Sequence, residues 1–178
     1  MLSVRPIAGH DWPAIVALEA QVYSGIGLSE DRAALESKAR ASPRTCFVLD
    51  VGHHVAAYLL ALPYPMFRSP ALALPEAGTF SSTNLHLHDL VVGKEFRRRG
   101  LATHLEQQLT QLAPSLGHTS ISLIAVAGSG GFWTACGYQE RPTVSVSVSY
   151  GANAVYMTRM IHGIPALNPQ HPIEESLR

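Results

Sequence analysis

The chain has 178 residues, 47% hydrophobic and 15% charged, with Lys plus Arg and Asp plus Glu balanced at 13 each. That length suits one domain whose core needs no metal or disulfide to fold. Zero formal net charge excludes a general nucleic-acid or anionic-membrane binder, whose affinity rests on excess positive charge.

The N-terminus carries no apolar stretch after a basic start, and no apolar run approaches the roughly 20 residues of a membrane helix. A soluble, cytoplasmic protein with no membrane partner is expected. Residues 2–5 read as a first strand. Asp11 stands as a helix cap with Pro13 just inside, followed by Ile15, Leu18 and Val22 at helical spacing. Gly25 and Gly27 break the pattern, and Ser29 reads as the cap of a second short helix over 30–40. Its Glu30, Asp31 and Glu36 read as a solvated acidic face. Residues 45–51 and 55–62 form a predicted hairpin through Gly52-His53-His54.

Pro63, Pro65, Pro70 and Pro75 punctuate a long connection, 63–83, of the kind that covers either a site or the core. Residues 85–92 are apolar on both faces, as a central strand is. Leu101, Leu105, Leu109 and Leu112 stripe a helix ended by Pro114 and Gly117. Residues 119–126 form another strand, and Gly128-Ser129-Gly130-Gly131 turns into a short helix ending at Gly137. Val144, Val146 and Val148 alternate with serines over 143–149, predicting a hairpin with 153–160. The whole is one mixed α/β domain over 1–162, with a loosely held tail over 163–178. Cys46 and Cys136, without CxxC spacing, read as two small buried thiols in a reducing compartment.

The most informative stretch is Arg97-Arg98-Arg99-Gly100-Leu101-Ala102 between a buried strand and an amphipathic helix. The first helical turn offers unpaired N–H groups and a positive dipole end, and a glycine lets an anion approach the backbone. A pyrophosphate cradle is the reading. Val92-x4-Arg97-x-x-Gly100-x-Ala102 resembles the acetyl-CoA signature of the GNAT N-acetyltransferase superfamily, Q/R-x-x-G-x-G/A after a strand ending in valine. Phe132-Trp133-x3-Gly137-Tyr138 is similar to that family's second motif. The resemblance covers roughly residues 2–161. It implies a mixed α+β fold with a central, mostly antiparallel sheet flanked by helices, and acetyl-CoA as co-substrate with no metal. It also implies that backbone groups of Leu90, Val91 and Val92 meet the pantetheine arm. The amides of Arg98 to Thr103 (Arg98, Arg99, Gly100, Leu101, Ala102 and Thr103) would hold the pyrophosphate beside Arg97. Many members carry a tyrosine, a candidate acid for the leaving thiolate, where this chain has Trp133. The indole cannot serve as an acid near neutral pH, so Trp133 is read as packing against the CoA arm or in the core. Many members also carry an asparagine after the fifth strand. Here Ser129, in its glycine-rich turn, is the residue that could contact the cofactor.

Acetylating an amine of pKa about 10.4 requires the neutral form, about one molecule in a thousand near pH 7. A base close to the acceptor lowers that barrier, and histidine titrates nearest working pH. Strand alternation puts His86, His88, Leu90 and Val92 on one face and Leu85, Leu87, Asp89 and Val91 on the other. The spacing of His86 and His88 is similar to the H-x-H pair of arylalkylamine N-acetyltransferases, which implies a base or proton relay. Many family members have an H-D-L-x-V run here, so His88 and Asp89 could instead form a structural pair. Zinc on the two histidines lacks a third ligand of suitable spacing.

The expected reaction is direct acetyl transfer from acetyl-CoA to a primary amine of a small molecule. A non-catalytic CoA-binding module, and an enzyme acting on protein or peptide amines, are the alternatives. Tyr23, Tyr64, Met66 and Phe67 favour a modestly apolar acceptor. A homodimer through the 143–160 hairpin or a sheet edge is compatible with the sequence.

Overall fold

Among the described residues, 1–161 of the computed structural model, seven strands form one sheet. They are β1 (Leu2–Pro6), β2 (Cys46–Val51), β3 (His54–Pro63), β4 (Asn84–Val92), β5 (Ser120–Ala125), β6 (Gln139–Glu140) and β7 (Val155–Met160). Their spatial order is β1-β2-β3-β4-β5-β7-β6. Every pairing is antiparallel except β4 with β5. Parallel neighbours need a crossover, and α3 (Leu101–Leu112) lies on it.

α1 (Trp12–Tyr23) and α2 (Arg32–Ala41) cover one face of the sheet, and α3 with α4 (Gly130–Ala135) cover the other. β3 shows why both faces need covering. Ala57, Leu59 and Ala61 join the cluster under α3, while Tyr58 and Leu60 join Trp12, Ile15, Leu18 and Leu35. Leu101, Leu105 and Leu109 bury the expected helical stripe, each worth about 1.5–3 kcal/mol of transfer free energy. No described helix is long and apolar enough to cross a membrane.

Five local readings are corrected. Asp11 precedes α1 but does not cap it. Its carboxylate takes the Ala8 N–H at 2.7 Å and the Arg5 guanidinium at 2.7 and 2.8 Å, so charge pairing outcompetes the helix amides. Asp31, not Ser29, caps α2, accepting from the Ala34 N–H at 2.8 Å, while Ser29 donates to Glu19. The acidic residues share no solvated face: Glu30 is buried ahead of the helix, and only Glu36 pairs with Arg32 and Arg40 near the surface. Residues 143–149 form no strand. The chain turns over 141–144, where Val144 N–H bonds Arg141 C=O at 3.0 Å and Pro142 has no N–H for a ladder, and Tyr150 is drawn away by its hydroxyl, which donates to Pro70 C=O at 2.7 Å. β7 therefore pairs with β5 and with just Gln139 and Glu140. The expected tail, 163–178, lies outside the described residues.

The fifth correction concerns β4. Leu60 faces Asp89 across the ladder and Ala61 faces Leu87, so His88 is an extra, unpaired residue. Such a bulge interrupts the alternation. Leu85, Leu87, Leu90 and Val92 consequently pack toward α3, while Asp89 and Val91 turn toward α1 and Tyr58. His86 and His88 do not share a face with Leu90 and Val92.

Candidate active site

β4 pairs with β5 only through Asn84–Leu87, opposite Ser120–Leu123; beyond Leu87 the two strands part. The opening is a cleft of about 440 Å³. Its walls include Leu90, Val91 and Val92 from β4, Arg97 and Ala102 from the signature segment, and Ser129 and Trp133 from the α4 turn. Seven of the residues expected to meet acetyl-CoA are thus brought together. Arg98, Arg99, Gly100, Leu101 and Thr103 stand at the start of α3, outside the wall itself.

The start of α3 presents its backbone amides openly. Gly100 precedes the helix at φ +74°, a left-handed conformation, and Arg98 is also left-handed at φ +60°. His104 N–H is the first to bond back, to Gly100 C=O at 3.0 Å. The amides of Leu101 to Thr103 belong to the turn that has no helical acceptor. A Cβ built on Gly100 meets nothing within 4 Å, so the approach to this backbone is open. Arg97 Nε donates to Val92 C=O at 3.3 Å, fixing that side chain at the strand end, while Arg99 lies over the Phe96 ring at 5.6 Å. Trp133 is 8% exposed and packs edge-on against Phe132 and Tyr138 at 4.8 and 5.5 Å. It serves the core and the cleft wall together.

Further lining comes from α1, the α1–α2 connection, the 64–83 connection and the segment before β7: Val22, Tyr23, Leu28, Glu30, Leu72 and Tyr150. His88 and Asp89 lie in the β4 wall. The His88 side chain is 1% exposed, and its Nε2 lies 2.5 Å from Glu30 Oε2. Its Nδ1 is the one buried side-chain nitrogen or oxygen without a partner among the described residues. Glu30 Oε1 accepts from the wholly buried Lys38 ammonium at 2.8 Å and from the Ala73 N–H at 2.9 Å. Burial pushes the Glu30 carboxyl up, but His88 and Lys38 outweigh it and hold it at about 2.

His86 is placed differently. It is 1% exposed, its Nδ1 lies 3.0 Å from Ser122 Oγ, and it is absent from the cleft wall. Asn84 donates to the same Ser122 oxygen at 2.9 Å. Burial, reinforced by His88, holds the His86 ring well below the ordinary histidine range, so it stays neutral near pH 7. The two rings lie 6.3 Å apart. Asp89 receives hydrogen bonds from Tyr58 and from Tyr23, the latter at 2.9 Å. Tyr23 and Tyr150, the two tyrosines in the wall, both have committed hydroxyls.

Glu30, Lys38, Leu72 and Tyr150 were not marked as site residues by the sequence. Glu30 sits in a short acidic run that reads as surface, and Tyr150 sits in a segment whose alternation mimics a strand. The one available signal was Lys38, a charged residue in phase with Leu35 on the buried side of α2.

The sequence finds no match among curated proteins. Among solved structures, the chain is similar to Ard1 from Thermoplasma volcanium (TM-score 0.70, 18% identity, covering 90% of this chain and 98% of that one). It is similar to N-acetylglutamate synthase from Neisseria gonorrhoeae complexed with coenzyme A and N-acetyl-glutamate (TM-score 0.70, 16% identity, 91% of this chain and 35% of that one). A third is the ribosomal-protein-S18-alanine N-acetyltransferase of Escherichia coli (TM-score 0.65, 15% identity, 96% of this chain and 100% of that one). At these identities the structures establish the fold. Residues 12–138 match the Acetyltransferase (GNAT) family, and with the parted β4–β5 pair and the glycine-led α3 in place, the chain belongs to the GNAT acetyltransferases.

Proposed function

We propose that this acyltransferase moves an acetyl group from acetyl-CoA directly to a primary amine of a small molecule, with His88 as base or proton relay. The observation that supports it is the cleft itself. It joins the anion-ready start of α3 to a buried histidine with one nitrogen engaged and one free. Acetyl-CoA fits these residues: unpaired amides and arginines suit its phosphates, and the freed edge of β4 past Leu87 suits an amide-bearing arm. When bound it supplies an activated acyl thioester, and holding amine and thioester side by side supplies proximity.

Glu30 occupies Nε2 of His88, so a proton leaving the acceptor ammonium goes to Nδ1, directly or through water. His86 stays neutral beside Ser122 and supports the fork between the strands rather than the acceptor. Trp133 donates no proton, and Tyr23 and Tyr150 are committed elsewhere. Water therefore reprotonates the leaving thiolate.

A second cavity of about 290 Å³ shares Leu28, Ala127 and Tyr150 with the cleft. It supports a second reading, a longer acceptor such as a peptide N-terminus. The test is acetyl-CoA calorimetry followed by thiol release with phenethylamine, butylamine, amino acids and short peptides. Micromolar acetyl-CoA binding with amine-dependent thiol release, lost in H88Q but largely kept in H86Q, supports the enzyme. Binding with no turnover on any amine supports a CoA-binding module instead, and no binding refutes both.

A further inference from the structure

The Glu30 carboxylate is the meeting point of three donors from three parts of the chain. His88 Nε2 reaches Oε2 at 2.5 Å, while Lys38 Nζ and the Ala73 N–H reach Oε1 at 2.8 and 2.9 Å. The same region fastens the 64–83 connection further. Lys38 also donates to Leu74 C=O at 3.1 Å, Ser37 Oγ accepts from the Glu76 N–H at 2.8 Å, and Tyr150 donates to Pro70 C=O at 2.7 Å. Between these fastenings lies Leu72, the residue of this connection that reaches the cleft. Ala73 itself is held at φ +61°, a left-handed conformation that strains a residue with a side chain. A wholly buried lysine, a strained alanine and a buried carboxylate are each costly alone, and here they form one latch.

We propose that Glu30 is a positioning residue with two tasks: through Oε2 it keeps His88 in the Nε2–H tautomer, with Nδ1 free to take a proton, and through Oε1, with Lys38, it seats the 64–83 connection so that Leu72 shapes the acceptor pocket. The catalytic half rests on the acetyltransferase reading above; the tautomer and the latch do not. The acceptor class follows from the seated wall. Val22, Leu28 and Leu72 line the same cleft as the histidine, so the amine carries an uncharged, apolar substituent.

E30Q tests this sharply. The amide keeps the shape but has one acceptor and one donor end. Its oxygen is claimed by the Lys38 and Ala73 donors, which leaves the NH2 facing His88 Nε2. The ring must then accept there and carry its proton on Nδ1, where it can no longer act as base. Long-range 1H–15N spectra of the full chain, recorded on the neutral ring, read the tautomer without any substrate. Nε2–H in the wild type changing to Nδ1–H in E30Q is expected. Nδ1–H in the wild type, or one tautomer in both, overturns the proposal, and the wild-type spectrum decides even if E30Q fails to fold.

The titratable groups around His88 are Glu30, His86 and Asp89; Lys38 reaches it through Glu30, and Tyr150 shares the cleft wall with it. E30Q leaves all of these but one unchanged. With phenethylamine as acceptor, E30Q should lower kcat about a hundredfold or more near pH 7.5 with KM little changed. The deficit should shrink toward pH 10, where the amine is neutral unaided. A deficit equal at every pH would mark a merely structural role and overturn the first task. L72A should raise KM for phenethylamine several-fold more than KM for methylamine, with the wild-type pH profile; equal effects on both amines overturn the second. If the tautomer switches as expected while no amine is acetylated, the function proposed above fails and the positioning role stands.

Discussion

Substituting Asp89 with asparagine should stabilise the protein near neutral pH and leave it no better at pH 4. Asp89 is buried on β4, with Tyr58 and Tyr23 donating to it and His88 and Glu30 nearby. Burial pushes its carboxyl up to about 6, against the two tyrosines and His88, all of which favour the carboxylate. The folded state therefore holds this proton more tightly than the unfolded chain does. Stability from such a group is fully present below the unfolded value and is lost as pH rises through the folded one. The gap between 3.8 and about 6 amounts to about 3 kcal/mol at about 1.4 kcal/mol per pH unit. The asparagine does not titrate, so the stability of D89N relative to wild type should climb by about 2–3 kcal/mol between pH 4 and pH 7. At pH 4 it should trail by about 1 kcal/mol, because an amide NH2 meets one of the two tyrosine hydroxyls. Urea unfolding at constant ionic strength across that range measures the difference. A difference that stays flat, or that falls as pH rises, would refute the account of Asp89 as an acid buried at a cost.

G100E should abolish micromolar acetyl-CoA binding in calorimetry. The φ of +74° strains any side chain by about 1–2 kcal/mol, and the carboxylate repels phosphate at a helix start. R159M should destabilise by about 2 kcal/mol in urea. Buried Glu106 would lose its charged partner at 2.8 Å and keep only Thr110 and Tyr138, and the cost is moderated because Arg159 is 31% exposed. In the native chain, a thiol reagent should label Cys136 and spare Cys46 until unfolding. Cys46 is buried beside Ala61 C=O, and burial pushes its thiol up to about 12. Two fast-reacting equivalents would contradict this.

Much of the molecule was legible from residue order. The stripe at Leu101, Leu105 and Leu109, the two-sided apolarity of residues 85–92 and the glycine before α3 each reflect a local rule with one strong solution. The glycine-led start of α3 was readable because its signal is backbone geometry written in contiguous residues. The cluster around His88 was not, since Glu30, Lys38, Leu72 and Tyr150 meet only through tertiary contacts. The bulge at His88 carries no local signature, yet it moves every later side chain of β4 to the opposite face from that expected. At 143–149 the alternation was genuine, but the turn over 141–144 and the Tyr150 bond to Pro70 carry the segment away from the sheet.

Both borders of the sheet are unusually poor templates. On one side β6 offers two residues before Pro142, and on the other β1 runs five residues and ends on Pro6. Proline and brevity at exposed borders are how sheet proteins keep one copy from zipping onto the next. For a sheet whose middle strands are apolar on both sides, that blunting guards against fibril-like stacking at high concentration. Extending β6 by replacing Pro142 would remove the safeguard, and the gain in pairing would appear as a loss of solubility.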